Sequence, residues 1–203
     1  MKNENFEDPR HFTEKYTKTN ILSEKILENF FASLESLLPS GIQSLKEVGC
    51  GAGFSMEKIK KMLPQARLSG SDIDPELVRM ARARNPEISF TTESVYQIPD
   101  QDNSYDLVLC LEVLEHLDHP DQALKELMRV SSNYVIVSTP REPLWRILNC
   151  ARGKYLADFG NTPGHINHWS KKGLTSLVAE QLDIVRVKSP IPWTMILAKK
   201  KKT

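Results

Sequence analysis

Glu47-Val48-Gly49-Cys50-Gly51-Ala52-Gly53-Phe54 decides how this chain is read. Ahead of it Ile42, Leu45 and Val48 begin an apolar run; behind it Met56, Ile59, Met62 and Leu63 recur at helical spacing. The stretch therefore predicts a strand, a glycine turn and a helix. Glycines let a backbone approach a ligand closely, and a helix start offers N–H groups with no partner inside the helix. A nucleotide-like cofactor lying across this turn is the first expectation.

Working outward, the same rhythm repeats. Upstream, Ile21, Leu22, Ile26, Leu27, Phe30, Phe31, Leu34, Leu37 and Leu38 mark a helix ended by Pro39-Ser40-Gly41. Downstream, Ala66 to Ser71 reads as a second strand, and Asp74-Pro75 as the N-cap and first residue of a helix that runs to Asn85-Pro86. Ile88 to Thr92 is a third strand. Asp106 to Leu111 is nearly continuous in apolar residues, the mark of a strand buried on both faces. Pro120 to Val130 is an amphipathic helix and Tyr134 to Ser138 a fifth strand. This alternation argues a parallel, doubly wound α/β sheet with helices on both faces.

After Pro140 the rhythm changes. About thirty residues, through Trp169, carry Leu144, Trp145, Ile147, Leu148, Tyr155, Leu156 and Phe159 before Ser170 caps a helix to Gln181. A connection this long inside one domain is usually functional. Ile184 to Val187 and Trp193 to Ala198 then read as an antiparallel pair at the sheet edge. The expected organisation is a single domain over 1–203, with an N-terminal helical cap over 1–40 and an insertion over 140–169. Residues 1–18, with Phe6, Phe12 and Tyr16 as isolated anchors, are read as a free end or as a flap that closes over the site.

Composition narrows the classes. A formal net charge of +1 over 203 residues steers the chain toward neither nucleic acid nor membrane. Cys50, Cys110 and Cys150 form no metal spacing and no disulfide framework, which favours a reducing compartment. The first ten residues are polar, and the longest apolar run, around Ile191 to Ala198, is only strand length. A cytoplasmic protein with no membrane span and no nucleic-acid partner is the expectation.

A dinucleotide fingerprint wants G-x-G-x-x-G with an acid about twenty residues on. Here the spacing is G-x-G-x-G, with Glu47 ahead of it and Asp72 at the end of the second strand. Asp72 is placed to accept from ribose hydroxyls, which two kinds of adenosine cofactor share. The wider pattern separates them. Glu47 to Gly53, Gly70-Ser71-Asp72-Ile73-Asp74, the approach from Ile98-Pro99 through Asp102-Asn103-Ser104-Tyr105-Asp106-Leu107-Val108, and Leu111-Glu112-Val113-Leu114-Glu115-His116-Leu117 follow one another in order. Together they resemble the motifs of class I S-adenosylmethionine-dependent methyltransferases, over residues 45–140.

The resemblance implies a Rossmann-like, seven-stranded, mainly parallel sheet with an antiparallel last strand, and S-adenosylmethionine as cofactor. It implies that Glu47, Gly49, Cys50 and Gly51 cradle the cofactor, that Asp72 binds the ribose and Ile73 packs on the adenine. Ser94 and Val95 would hold the adenine edge, where many relatives have Gly-Asp-Ala in place of Glu93-Ser94-Val95. Leu111 would face the methionine end. Cys50 is read as a small turn residue, because transfer from a sulfonium needs no nucleophilic thiol.

The protein's main task in such a transfer is alignment, and a general base helps only an acceptor that must lose a proton. His116 is the candidate base; a histidine that merely holds the following loop is the plain alternative. Glu112, Glu115 and His116 form a Glu-x-x-Glu-His pattern in which, on one helical turn, Glu112 would share a face with Glu115 or with His116, and Gly164 to Ser170 adds His165. That layout looks like two metal-assisted groups, quinone-biosynthesis O-methyltransferases and small-RNA 3′-end methyltransferases. Because Glu-His after strand four is widespread among metal-free members, no metal ligand is assigned.

The insertion is expected to build the acceptor pocket, its Trp145, Leu148, Tyr155 and Phe159 suiting an apolar or aromatic small molecule, and Arg141, Arg146, Arg152 and Lys154 an acidic group on it. A plain helical cover is the alternative. The expected activity is methyl transfer to a small-molecule oxygen. Its rivals are an RNA 3′-end methyltransferase, disfavoured by the neutral, short chain, a non-catalytic cofactor-binding partner subunit, and an NAD-dependent reductase.

Overall fold

Strand β1 (Ser44–Val48) is the centre from which the architecture grows. The structure, a computed structural model, describes residues 21–201; the expected N-terminal flap with Phe6, Phe12 and Tyr16 lies outside them. Around β1 stand α1 (Ile21–Glu35), α2 (Phe54–Met62), β2 (Arg67–Asp72), α3 (Pro75–Arg84), β3 (Ser89–Thr92) and β4 (Tyr105–Leu111). A 3₁₀ turn over Leu114–His116 leads to α4 (Pro120–Val130) and β5 (Ser131–Pro140). Then come α5 (Leu144–Ala151), a 3₁₀ turn over Leu156–Asp158, α6 (Lys171–Gln181), β6 (Leu182–Lys188) and β7 (Trp193–Lys200).

The sheet has seven strands in the order β3-β2-β1-β4-β5-β7-β6. β1 to β5 are parallel; β7 runs antiparallel between β5 and β6, so the expected pair closes the sheet with β6 at its edge. The order of strands reverses between β1 and β4. In open α/β sheets ligands bind at such a switch point, outside the carboxyl ends of the strands.

β4 shows why both faces must be covered. Successive side chains on a strand point to opposite faces. Leu107, Leu109 and Leu111 join Phe30, Phe31, Leu34, Met56, Ile59 and Val78 on one side, whereas Val108 and Cys110 join Leu124, Leu127, Leu174 and Val178 on the other. α1 to α3 thus cover one face, α4 and α6 the other. The N-terminal helix is part of the main core, with Leu34 fully buried.

Two boundaries differ from the periodicity, each for a local reason. α1 ends at Glu35 although the apolar pattern continues to Leu38, because the chain tightens into i→i−3 bonds from Leu37 N to Leu34 O (2.9 Å) and from Leu38 N to Glu35 O (3.1 Å). β5 begins at Ser131, ahead of the apolar run from Tyr134, because an irregularity in its register with β4 absorbs the extra residues. The expected caps are present: Asp74 accepts from Glu76 N at 2.8 Å, and Ser170 from Gly173 N at 3.1 Å. Among the described residues no helix is long and apolar enough to cross a membrane.

One charge inside the sheet ties its first strand to two loops. Lys46, 3% exposed, lies 2.7 Å from Glu93 and also pairs with Asp100. Removing one partner of a buried pair leaves the other charge uncompensated. Lys46→Met is therefore expected to lower stability by about 3–5 kcal/mol in urea denaturation, and adding Glu93→Leu to recover much of that loss.

Candidate active site

The glycine turn leaves β1 and is anchored to the end of β2 through the backbone. Gly49 N and Cys50 N both donate to Ser71 O, at 2.7 and 2.8 Å. Gly51 N donates to Asp72 Oδ2 at 2.8 Å, so the carboxylate at the tip of β2 holds the middle of the turn. Gly49, Gly51 and Gly53 all adopt left-handed backbone, with φ of 77°, 53° and 77°. The three differ in what surrounds them. A Cβ on Gly49 would lie 2.3 Å from Val113 Cγ2, and one on Gly53 would lie 2.8 Å from the Asn85 amide, whereas Gly51 has no described atom within 4 Å of that position. Gly49 and Gly53 thus serve packing, and Gly51 presents open backbone. Asn85 Nδ2 and Arg84 Nε close the far side by donating to Gly53 O (3.0 Å) and Ala52 O (3.2 Å).

Two carboxylates sit beneath the turn. Glu47 is 1% exposed and accepts from Ser55 Oγ at 2.7 Å. Burial pushes its carboxyl up to about 7, against the Ser55 hydroxyl and with the charge of Asp72 adding. Asp72 is also raised by burial, opposed by the N–H groups of Asp74 and Gly51. A carboxylate offers about four lone pairs. Asp72 uses one on Gly51, one, from Oδ1, on Asp74 N at 3.0 Å, and a further one on the backbone N–H of Ile73, so it retains acceptor capacity. Cys50 is buried, and desolvation together with the Glu47 and Asp72 charges pushes its thiol well above the ordinary range. It stays protonated, in keeping with a turn residue and not a nucleophile.

Next to Asp72, Ile73 is 57% exposed although large and apolar. The loop after β3 lies alongside, with Glu93 N donating to Asp72 O at 3.0 Å. Ser94 Oγ accepts from Tyr96 N at 3.2 Å, and Val95 is buried against the β4 side of the core. Asp72, Ile73 and Ser94 therefore share one rim of the crevice. Leu111, at the end of β4, stands on the other side of β1.

Beyond Leu111 the structure corrects one expectation. Glu112 does not lie on a helical turn with Glu115. It adopts left-handed backbone at φ 59°, a region that costs a residue bearing a Cβ about 1–2 kcal/mol. Its N–H donates to Ser138 O at 3.0 Å, and its carboxylate accepts from Ser138 Oγ at 2.9 Å and from Trp193 Nε1. The cluster formed after β4 is instead Glu115, His116 and His165, whose ligand atoms lie within 4.8 Å of one another.

The insertion supplies this grouping. Glu115 O accepts from Ile166 N and Asn167 N, both at 3.0 Å, and the Asn167 amide donates to Leu117 O at 2.6 Å and Leu114 O at 3.3 Å. His116 Nδ1 donates to Gly164 O at 3.0 Å, which leaves Nε2 as the acceptor of the ring. His165 is buried, packs edge-on against His116 at 4.8 Å and stacks on Trp145 at 6.1 Å. The stretch after Pro140 thus docks onto the exit of β4. In contrast Phe159, which the sequence reading counts with the pocket, is 78% exposed, and Ile147 and Leu156 of the same insertion are 58% and 61% exposed. Asn85 and Trp193 read as ordinary turn and strand residues, and Val113 and Asn167, although they lie within stretches the sequence reading singles out, have no role assigned there; only long-range contacts make these four part of the site.

Comparison with known proteins gives a consistent picture. Residues 46–134 match the family model described as a methyltransferase domain. Over 139 residues the chain is 30% identical to a ubiquinone biosynthesis O-methyltransferase of Xanthomonas axonopodis pv. citri, covering 64% of this chain and 56% of that protein. It is 29% identical to the same-named protein of Xanthomonas euvesicatoria over 119 residues, covering 55% and 49%. The chain thus spans about half the length of the curated relatives it matches. Among solved structures, a SAM-dependent methyltransferase from Aquifex aeolicus superposes with a TM-score of 0.73 at 18% identity, over 96% of this chain and all of that one. Magnesium protoporphyrin IX methyltransferase from Synechocystis PCC 6803, solved with bound SAH, superposes with a TM-score of 0.67 at 17% identity, over 95% and 96%.

The buried Glu47 generates a pH test. An acid whose folded value is raised from 4.5 to about 7 favours the fold at low pH, and that contribution is lost as pH rises through this window. Glu47→Gln keeps an acceptor for Ser55 and removes the titration. Relative to the parent, the variant is expected to gain on the order of 3 kcal/mol between pH 5 and pH 8, read by urea denaturation at each pH.

Proposed function

We propose that the chain is a class I S-adenosylmethionine-dependent methyltransferase that moves a methyl group from S-adenosylmethionine to an oxygen of a small-molecule acceptor. One observation carries the proposal. At the switch point between β1 and β4, an open glycine backbone at Gly51 is bonded to a carboxylate, Asp72, that keeps acceptor capacity beside the exposed Ile73. The chemistry of this set suits an adenosine: Asp72 would accept from the ribose hydroxyls, Ile73 would offer an apolar face to the adenine, and Ser94 and Val95 would lie toward its edge. Gly49, Cys50, Gly51, the buried Glu47 and Leu111 would form the methionine end.

When bound, the cofactor supplies a methyl group already activated on a sulfonium. The chain's own residues then hold donor and acceptor in line, an alignment worth about 7–11 kcal/mol of barrier in favourable cases. His116, with Nδ1 committed to Gly164 O, would take the acceptor's proton at Nε2. The insertion over 140–169 would seat the acceptor, with the stacked rings of Trp145 and His165 beside His116. The names of the Xanthomonas relatives support oxygen as the atom methylated.

A second reading is favoured by the convergence of Glu115, His116 and His165. One carboxylate and two imidazoles are a donor set suited to a divalent transition ion or zinc, and a hard ion would need further oxygen ligands. In this reading Glu115, His116 and His165 would hold the ion, His116 would be a ligand and not a base, and a bound ion would supply Lewis-acid chemistry to the acceptor oxygen.

Asp72→Ala is expected to weaken S-adenosylmethionine binding on the order of 100-fold by calorimetry, because charge-assisted hydrogen bonds to two hydroxyls are lost; unchanged affinity would refute the cofactor assignment. In a labelled-methyl screen against phenols, quinone precursors and short RNAs, a phenol is the expected acceptor. With it, His116→Ala should lower turnover by about 10²–10⁴-fold while cofactor affinity holds. Turnover that survives a chelator supports the base. Turnover that a chelator abolishes, that Mn²⁺ restores and that Glu115→Ala eliminates supports the metal.

A further inference from the structure

Glu112 is the residue at which β4 ends and the chain turns across the site, and nothing in the proposed chemistry uses its carboxylate. Its backbone is left-handed, which glycine would adopt freely and glutamate does not. The residue that follows, Val113, lies against Gly49 so closely that a methyl group there would overlap Cγ2. Two bonds, from His116 N to Val113 O at 3.0 Å and from Leu117 N to Leu114 O at 3.2 Å, then form the turn that carries Glu115 and His116. The direction in which the chain leaves Glu112 therefore sets both the packing under the glycine turn and the position of His116.

That direction is secured by the side chain. Ser138 Oγ donates to Oε1 at 2.9 Å and the indole N–H of Trp193 donates to Oε2, while Glu112 N is bonded to Ser138 O. Ser138 is fully buried and Trp193 is 4% exposed. Trp193 is placed by other elements: it faces Pro140 across β5 and β7, meets Phe30 of α1 edge-on at 4.9 Å, and contacts Trp145 of α5 at 6.1 Å. Its indole nitrogen thus reports the seating of the N-terminal helix and of the acceptor cover to the exit of β4.

We propose that Trp193 and Glu112 are a pair of positioning residues, in which the indole N–H holds the Glu112 carboxylate and so keeps a non-glycine residue in the left-handed turn that aligns Val113 and the Glu115–His116 segment with Gly49. The inference rests on the cofactor reading for its binding readout alone; the geometry it concerns is present without a ligand.

A rescue experiment tests it. Trp193→Phe keeps an aromatic ring on the side of Phe30 and Trp145 and removes the indole N–H together with part of the ring's bulk, a packing loss that rescue by glycine separates from loss of the donor. It is expected to speed amide hydrogen exchange at His116 and Leu117 about tenfold and to weaken S-adenosylmethionine binding by a similar factor, the size of a left-handed penalty no longer offset. Adding Glu112→Gly, which takes this backbone without strain, should restore most of both losses. Ser138→Ala, which removes the other donor, should shift exchange in the same direction, and it decides the matter if the Trp193 variant does not fold. Unchanged exchange in Trp193→Phe and Ser138→Ala, or a double variant no better than Trp193→Phe, would overturn the proposal, since loss of packing alone gives no rescue by glycine. If the parent binds no S-adenosylmethionine, the cofactor reading fails while the exchange data still decide the role of the pair.

Discussion

The hydrogen bond from Gly51 N to the Asp72 carboxylate is the constraint on which the site depends. It joins the loop after β1 to the tip of β2, and the twin bonds from Gly49 and Cys50 to Ser71 O register that loop against the strand. A turn so tied cannot sag into the crevice at the switch point. The cost is a carboxylate held in a partly desolvated place, offset by backbone N–H donors and by the polar rim it shares with Ser94. Glu47 lies under the same turn without such donors, and its affinity for a proton rises accordingly.

The opposite wall of the crevice is built differently. There the chain leaves β4 through a left-handed glutamate, packs Val113 under Gly49 and delivers Glu115 and His116 to a segment that returns from beyond β5. The first wall is local, made by neighbouring strands and their loops. The second is assembled from residues far apart in the chain, including β7 and the docked insertion.

Much of this was readable before any coordinates. Periodicity in Met56, Ile59 and Met62, the unbroken run from Asp106 to Leu111 and the Asp74-Pro75 cap state their elements almost without competition. The irregularities did not show. The α1 terminus follows 3₁₀ bonds that the apolar pattern cannot report, and the early start of β5 reflects a register shift against β4. Glu112 is the instructive case. Its spacing to Glu115 presumes a helix, but the backbone there is left-handed, so the two carboxylates part and His165 takes a place beside Glu115 and His116. The exposure of Ile147, Leu156 and Phe159 was equally unreadable, because an apolar residue in a covering segment looks the same whether it faces inward or outward.

The sequence by itself determined the alternating fold, the glycine turn, the acid at Asp72 and the family these motifs resemble. Those are short-range features: strand and helix periods, and a turn whose backbone angles only glycine takes easily. Tertiary structure decided which side chains meet after β4, how Trp193 and Ser138 hold Glu112, and how His165 reaches His116. The physical reason is that these contacts span the sheet between residues distant in the chain, and their geometry depends on how layers pack and not on any local preference.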